Sequence, residues 1–188
     1  MTKFSANLGF LWSDRPLIDA IHASHAAGFE MVECHWPYEY DAAEVKAVFD
    51  ANGLTMLGLN TVRGNLAANE NGLVALPGYQ DEARATIDQT RRIIEAVATS
   101  NLKLMFDCYH IQILEGDLTR RLQANIDIIR HIQFAEVPSR GRPDNGEINY
   151  QHIFKRIADM GYTAPLGAEY KPENGDTDSS LGWKNRLG

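Results

Sequence analysis

The segment FDCYHIQ, residues 106–112, places a carboxylate and an imidazole three residues apart, Asp107 and His110. Both follow an apolar run, residues 102–106, whose weak alternation is typical of a strand buried on both faces. In α/β proteins the chemistry is carried by side chains just beyond the carboxyl ends of such strands. The sequence therefore predicts a functional site at this strand end.

Two later segments repeat this arrangement. HIQFAEVPSRGRPDNGEINY, residues 131–150, contains Gln133 on an apolar strand and Arg140 in the loop that follows. LGAEYKP, residues 166–172, ends a third apolar run with Glu169. Because carboxyl ends of parallel strands meet at one edge of a sheet, these three strand ends predict one shared site.

The elements that must position these residues alternate along the whole chain. Apolar runs predict strands at 4–10, 30–34, 54–59, 102–106, 131–135 and 165–169, and helical spacing predicts helices at 14–27, 41–51, 81–98, 118–129 and 150–160. Such alternation is typical of parallel βα units, here in a single domain over residues 1–188. The sequence lacks GxGxxG after the first strand, so a Rossmann site has no support. Functional residues at several successive strand ends favour a barrel, although eight units usually need ~250 residues.

Composition excludes several classes of function. The chain has 188 residues, 44% of them hydrophobic, and a net charge of −7, which argues against a nucleic-acid-binding surface. Neither a cleavable signal pattern nor an apolar run of ~20 residues is present, so we expect a cytoplasmic protein without a membrane span. Cys34 and Cys108 lie in or beside predicted strands and are expected to be buried, reduced thiols.

Several motifs together resemble one family. They are FSANLGFLW, GFEMVECHWPYEY, LNTVRGN, GLVALPG, DCYHIQILEGDLT, GEINY downstream of an Arg-containing loop, and GAEYKP. From Phe4 to Trp183 the chain resembles the hydroxypyruvate isomerases, which are xylose-isomerase-like TIM barrels close to the 2-oxo-tetronate isomerases. The resemblance implies an α/β TIM-barrel-like fold and an isomerase acting on a small 2-oxo-hydroxy acid.

The chain also departs from that family, whose members have eight βα units. Here only about six are recognisable, and the fourth and fifth units are missing, with the junction near residues 91–100. The missing part would contain the fifth-strand glutamate, which in the family is a metal ligand and one of two acid/base residues. Glu95 and Glu115 lie at helix or loop positions without the context of that glutamate.

The resemblance assigns roles to the residues noted above. Isomerisation moves a proton between adjacent carbons through an enediolate, which requires a base, an acid and positive charge near the developing oxyanion. Asp107, Gln133 and Glu169 would hold a divalent metal, and oxygen donors suit Mg²⁺ or Mn²⁺ better than zinc. Glu169 would also be the surviving acid/base residue.

The resemblance also implies substrate contacts. His110 would contact a substrate oxygen beside the metal, and a bidentate guanidinium at Arg140 would hold the substrate carboxylate. Asn60 and Arg63 follow the third strand and would line the pocket. Gly141 and Arg142 differ from the residues usual in this loop, which leaves the substrate preference open.

Each of these residues also has a simpler structural interpretation. Asp107 could cap a helix, Gln133 could satisfy a backbone group, and His110 could be a half-buried structural residue. Glu169 could form a surface ion pair with Lys171, although the alternation of residues 169 and 171 would let both face the site. His22 and His25 have a spacing that could bind metal, but without a third ligand nearby they are interpreted as a helix face. Trp36, Pro37 and Tyr38 would either wall the mouth of the site or serve in aromatic packing.

The leading hypothesis is a metal-dependent isomerase that interconverts hydroxypyruvate and tartronate semialdehyde. One alternative is a family remnant without catalysis, which would bind ligands or form homo-oligomers that cover the surface exposed by the lost strands. Another is a sugar epimerase of the same superfamily, against which Gln133 argues because the epimerases usually have histidine there. The leading hypothesis predicts a small-molecule substrate, hydroxypyruvate or a similar 2-oxo acid, and it allows a homo-oligomer.

Overall fold

The computed structural model describes residues 2–35, 37, 39–59 and 103–188. The strands in this part are β1 (Phe4–Asn7), β2 (Met31–Cys34), β3 (Thr55–Leu59), β4 (Leu104–Asp107), β5 (Ile129–Phe134) and β6 (Leu166–Ala168). The helices are α1 (Leu17–Ala26), α2 (Ala42–Asn52), α3 (Cys108–Leu114), α4 (Leu118–Asn125), α5 (Tyr150–Asp159), α6 (Thr177–Ser180) and α7 (Lys184–Leu187), with short 3₁₀ turns at Glu173–Gly175 and Leu181–Trp183.

The described strands form one parallel sheet in the order β3-β2-β1-β6-β5-β4. Ala6 of β1 is aligned with Val32 of β2 on one side and with Ala168 of β6 on the other. The first and last strands are therefore neighbours, which is how a parallel sheet closes into a barrel. Six parallel strands in this order confirm the predicted TIM-barrel-like α/β fold.

The two faces of the sheet differ in chemistry because side chains alternate along each strand. One face is apolar and packs against the helices; its buried residues include Ala6, Val32, Phe106, Ile132, Phe134, Leu166 and Ala168. The opposite face, here called the polar face, carries Ser5, Asn7, Glu33, Asp107, His131, Gln133 and Glu169. A polar face inside a barrel is where a site can be built.

An aromatic cluster fastens the C-terminal segment to the apolar face. Trp183 is fully buried, and its ring centroid lies 4.9 Å from that of Phe4 and 5.3 Å from that of Phe134. Phe134 in turn lies 5.0 Å from Phe154 of α5. These edge-on contacts tie the first strand, the fifth strand and the chain end into one core.

The predicted elements match the described ones apart from the differences below, and the short helices α6 and α7 with the two 3₁₀ turns were not predicted. Residues 8–10 form a turn instead of extending β1, and α4 ends at Asn125 so that β5 begins at Ile129. The helix Cys108–Leu114 was not predicted; Gly116 and Asp117, both with positive φ, separate it from α4. The expected loop at 60–80, the helix at 81–98 and the junction near 91–100 lie outside the described residues. None of the described helices is long and apolar enough to cross a membrane.

Candidate active site

Glu169, directly after β6, is the centre of a buried hydrogen-bonded cluster at the carboxyl edge of the sheet. Asn7 Nδ2 donates to its Oε1 at 3.1 Å, and His35 Nε2 lies 3.4 Å from the same oxygen. The other oxygen, Oε2, forms an ion pair with Arg140 Nη2. Strands β1, β2 and β6 and the loop after β5 therefore all converge on this carboxylate.

Arg140 reaches Glu169 from a strained backbone position. Its φ is 59°, which is unfavourable for a residue with a Cβ, and such strain is often found at functional sites. Lys171 N donates to Arg140 O at 2.7 Å and holds the loop against the end of β6. The guanidinium lies between two rings, 4.7 Å from the Phe10 centroid and 4.9 Å from the Tyr109 centroid.

Asp107 and His110 complete this cluster from the end of β4 and the first turn of α3. Asp107 Oδ2 lies 3.4 Å from His110 Nε2 and 3.5 Å from Arg140 Nη2. Its Oδ1 accepts a hydrogen bond from Tyr109 N at 2.9 Å, so Asp107 also caps α3. The cap uses Oδ1 and the contacts with His110 and Arg140 use Oδ2, so capping α3 leaves Oδ2 within the cluster.

The two carboxyl groups have pKa values that move in opposite directions. Burial and the neighbouring Glu169 carboxylate raise the pKa of Asp107 to about 7, although Arg140 opposes this shift. Burial also acts to raise the pKa of Glu169, but His35 and Arg140 outweigh it and the net pKa is lowered. Burial and Arg140 lower the pKa of His110. Near neutral pH, Glu169 is thus ionised while Asp107 is close to its titration midpoint.

Gln133 occupies the neighbouring part of the polar face and has a different partner. Its Nε2 donates to Glu33 Oε2 at 2.6 Å, and both side chains are buried, with Gln133 4% and Glu33 6% exposed. Gln133 is nevertheless aligned with Asp107 across β4 and β5. The structure therefore brings Asp107, His110, Arg140 and Glu169 together and places Gln133 beside them, bonded to Glu33.

Glu136, which follows β5, orders the loop that carries Arg140. Its side chain is buried and accepts hydrogen bonds from Gly141 N at 3.0 Å and from the Ser139 hydroxyl. A Cβ at Gly146 would collide with it, so glycine is required there. The loop conformation is thereby specified by one carboxylate.

Sequence reasoning missed four residues of this region, which are Asn7, Glu33, His35 and Glu136. The available signal was the alternation of polar residues within short strands: Ser5 and Asn7 in β1, and His131 and Gln133 in β5. That pattern predicts a polar sheet face.

The remaining expected residues are placed as follows. Asn60, Arg63, Trp36 and Tyr38 lie outside the described residues. Lys171 is exposed, and Glu115 forms an ion pair with Arg121. His22 and His25 are exposed on α1, with His22 Nδ1 3.2 Å from Asn52 Oδ1. Cys34 and Cys108 are buried and free, as expected, and burial raises the pKa of Cys34 to about 11.

The donor chemistry can be compared with that of a divalent cation. Across the described ranges, no group of three or more acidic, histidine or cysteine side chains is arranged to hold a metal ion. Asp107 and Glu169 interact as a buried pair, where burial and the second carboxylate raise the pKa of Asp107. A hard cation would relieve that repulsion, so this carboxylate pair, with the amide oxygen of Gln133, fits Mg²⁺ or Mn²⁺ in donor type.

Comparisons with known proteins identify the relatives of this chain. The family model described as "Xylose isomerase-like TIM barrel" matches residues 69–187. A 2-oxo-tetronate isomerase from Cupriavidus necator is 33% identical over 254 residues, which cover 97% of each chain. The hydroxypyruvate isomerase of Escherichia coli strain K12 is 28% identical over 254 residues, covering 97% of this chain and 98% of that protein.

These alignments are longer than the 188 residues of this chain. The relatives therefore contain residues with no counterpart here, in agreement with an internal deletion.

Solved structures give the same fold. A crystal structure titled AP endonuclease, family 2, from Brucella melitensis superimposes with a TM-score of 0.77 at 25% identity, covering 99% of each chain. The 3-keto-D-glucoside 4-epimerase from E. coli gives a TM-score of 0.73 at 16% identity, which shows the shared fold alone. By this family match and its relatives named as isomerases, the chain belongs to the xylose isomerase-like TIM-barrel family.

Proposed function

We propose that the protein interconverts hydroxypyruvate and tartronate semialdehyde, or a closely related 2-oxo-hydroxy acid, through an enediolate. The observation that carries the proposal is the buried Glu169 carboxylate, whose two oxygens are held by Asn7, His35 and Arg140. Relatives named hydroxypyruvate isomerase and 2-oxo-tetronate isomerase support this substrate class.

Glu169 is proposed to move the proton. Its lowered pKa keeps it ionised near neutral pH, which a base requires. It removes a proton from C3 of hydroxypyruvate, the C3–H electron pair forms the C2–C3 double bond of the enediolate, and the π pair of the C2 carbonyl moves onto its oxygen. Glu169, whose carboxyl proton exchanges with solvent, then delivers a proton to C2, while the hydroxyl proton moves from the oxygen on C3 to the oxygen on C2. The product is the aldehyde isomer, with no change in atoms or electrons.

Arg140 and His110 are proposed to bind the substrate. The Arg140 guanidinium is fixed between Phe10 and Tyr109, so it is oriented before an anion arrives. A substrate carboxylate would bind the Arg140 guanidinium and replace part of the ion pairing that it makes with Asp107 and Glu169. His110 Nε2, 3.4 Å from Arg140 Nη1, lies where it can bond a substrate oxygen.

Asp107, Gln133 and Glu169 are proposed to hold a divalent cation, Mg²⁺ or Mn²⁺. When bound, such an ion supplies positive charge to polarise the substrate carbonyl. Gln133 and the names of the relatives favour isomerisation over sugar epimerisation.

The proposal is tested by incubating purified protein with hydroxypyruvate and following products by proton NMR. We expect tartronate semialdehyde in the presence of Mg²⁺ or Mn²⁺ and strongly reduced formation after EDTA treatment, restored when the metal is added back. Full turnover with EDTA would refute the metal role. No product under any condition, from a protein with a cooperative melting transition, would favour the interpretation as a remnant without catalysis.

A further inference from the structure

We propose that Glu33 is a positioning residue that fixes which end of the Gln133 amide faces the site. The inference rests on the proposed function and deepens it, because it explains how a neutral side chain presents a defined oxygen to substrate or cation. Nothing in the sequence motifs distinguished Glu33, yet it is a carboxylate buried on the polar face at β2.

The contacts of Glu33 are compatible with one orientation of the Gln133 side-chain amide. Oε2 accepts from Gln133 Nε2 at 2.6 Å. Oε1 accepts from Ser5 Oγ at 3.0 Å and lies 2.9 Å from His131 Nε2. An ionised carboxylate accepts hydrogen bonds and cannot donate them, so only the amide nitrogen of Gln133 can face it.

The amide oxygen of Gln133 is then directed away from Glu33. Gln133 is aligned with Asp107 across β4 and β5, so the amide oxygen is the end that remains available on the Asp107 side of the polar face. Without Glu33, the nitrogen and oxygen of the amide could exchange places, and half of these states would present an N–H donor to the cation or substrate.

The sheet is built to accommodate this contact. Gly167 of β6 is aligned with both Ser5 and Gln133, and a Cβ there would collide with Glu33 Oε1 and with the His131 ring. Residues from β1, β2, β5 and β6 thus share one buried network. Glycine at 167 is the position that lets Glu33 cross the sheet to Gln133.

The first test reads the orientation without substrate or metal. The side-chain NH₂ signals of Gln133 in ¹H–¹⁵N spectra are assigned from their loss in Gln133→Met. These signals should differ between the ligand-free wild type and the ligand-free Glu33→Gln variant. An amide at position 33 can both donate and accept, so it no longer selects one end of Gln133. Ser5→Ala is the matched control, because it removes a hydrogen bond to Oε1 and leaves the Oε2 contact; its Gln133 signals should stay in place.

The second test is a double-mutant cycle on activity. Glu33→Gln should lower kcat by about 10- to 100-fold, as expected for a residue that orients a ligand. In a Gln133→Met background the same substitution should cause no further loss. Exchanging the pair, Glu33→Gln with Gln133→Glu, should recover part of the lost kcat, because an oxygen again faces the site. Thermal melting of each variant shows that the losses do not come from unfolding.

Unchanged Gln133 signals in Glu33→Gln, or losses that multiply in the double variant, would overturn the positioning role. Glu169→Gln is measured alongside to separate this from the proposed function. If the wild type is active and depends on Gln133, an inactive Glu169→Gln with a fully active Glu33→Gln would overturn the positioning role alone. A fully active Glu169→Gln would overturn the proposed function itself.

Discussion

At the scale of single residues, the site is a balance of buried charges. Two carboxylates, Asp107 and Glu169, share one guanidinium, that of Arg140. Burial and the Glu169 carboxylate together raise the pKa of Asp107 to about 7. Sequence motifs identified Asp107, His110, Arg140 and Glu169, because strand-end positions can be recognised locally. They did not identify Glu33 or His35, whose roles depend on strands that are distant in sequence.

The raised pKa of Asp107 predicts how stability changes with pH in metal-free protein. Because Asp107 binds its proton more tightly in the folded than in the unfolded state, its contribution is fully present below the unfolded pKa of about 4. That contribution is lost as pH rises through about 7. Asp107→Asn keeps an amide oxygen for the α3 cap and removes the titration. In EDTA, the melting temperature of this variant relative to that of the wild type should therefore rise as the pH is raised from 5 to 8.

The control for this measurement is Asp159→Asn, which removes an exposed carboxylate of α5 that pairs with Lys155. Its difference from the wild type should be nearly constant over the same pH range. A pH-independent difference for Asp107→Asn would contradict the assignment of a raised pKa to this group.

At the scale of elements, loops after strands determine where the site residues point. The loop after β5 carries Arg140 at positive φ and is held by Glu136 and by the backbone of Lys171. Local sequence predicted that a loop lay here but not its conformation, because Glu136 contacts backbone groups that become neighbours only after the loop folds. The helix α3 was missed for a related reason: seven residues are too few to show a helical period.

The contacts of Glu136 predict that its removal affects substrate binding more than the catalytic rate. Glu136→Ala removes the acceptor for Gly141 N and the Ser139 hydroxyl, so Arg140 should lose its fixed position. We expect KM for hydroxypyruvate to rise by about tenfold, from one or two lost hydrogen bonds, with a smaller change in kcat. Steady-state kinetics would show this, with the exposed Glu173→Ala as control. A fall in kcat at constant KM would contradict the assigned role.

At the scale of the molecule, the described strands are arranged as in a barrel, with β1 between β2 and β6. The order of strands followed from the alternation of helices and strands together with the resemblance, so the fold was predictable. The contacts that join the two ends of the chain could not be predicted, because they are made by aromatic residues far apart in sequence. Trp183 meets Phe4 and Phe134, and Lys184 Nζ donates to Ala27 O at 2.7 Å.

This joining predicts that the C-terminal segment is essential for stability. Trp183→Ala removes a fully buried ring and the hydrogen bond from its Nε1 to the Tyr170 hydroxyl at 3.1 Å. Loss of a buried aromatic side chain should lower the free energy of unfolding by about 3–5 kcal/mol. Urea denaturation measures this, with the exposed Asn185→Ala as the matched control. A loss of less than about 1 kcal/mol, the size expected of a surface change, would contradict this role of the cluster.

The central claim is that Glu169 moves a proton on the substrate, and deuterium exchange tests it most directly. Hydroxypyruvate is incubated in D₂O with Mg²⁺ or Mn²⁺, and its C–H signals are followed by proton NMR. The wild type should incorporate deuterium and form tartronate semialdehyde, whereas an equally stable Glu169→Gln protein should do neither above the rate without enzyme. Equal exchange by both proteins would contradict the account.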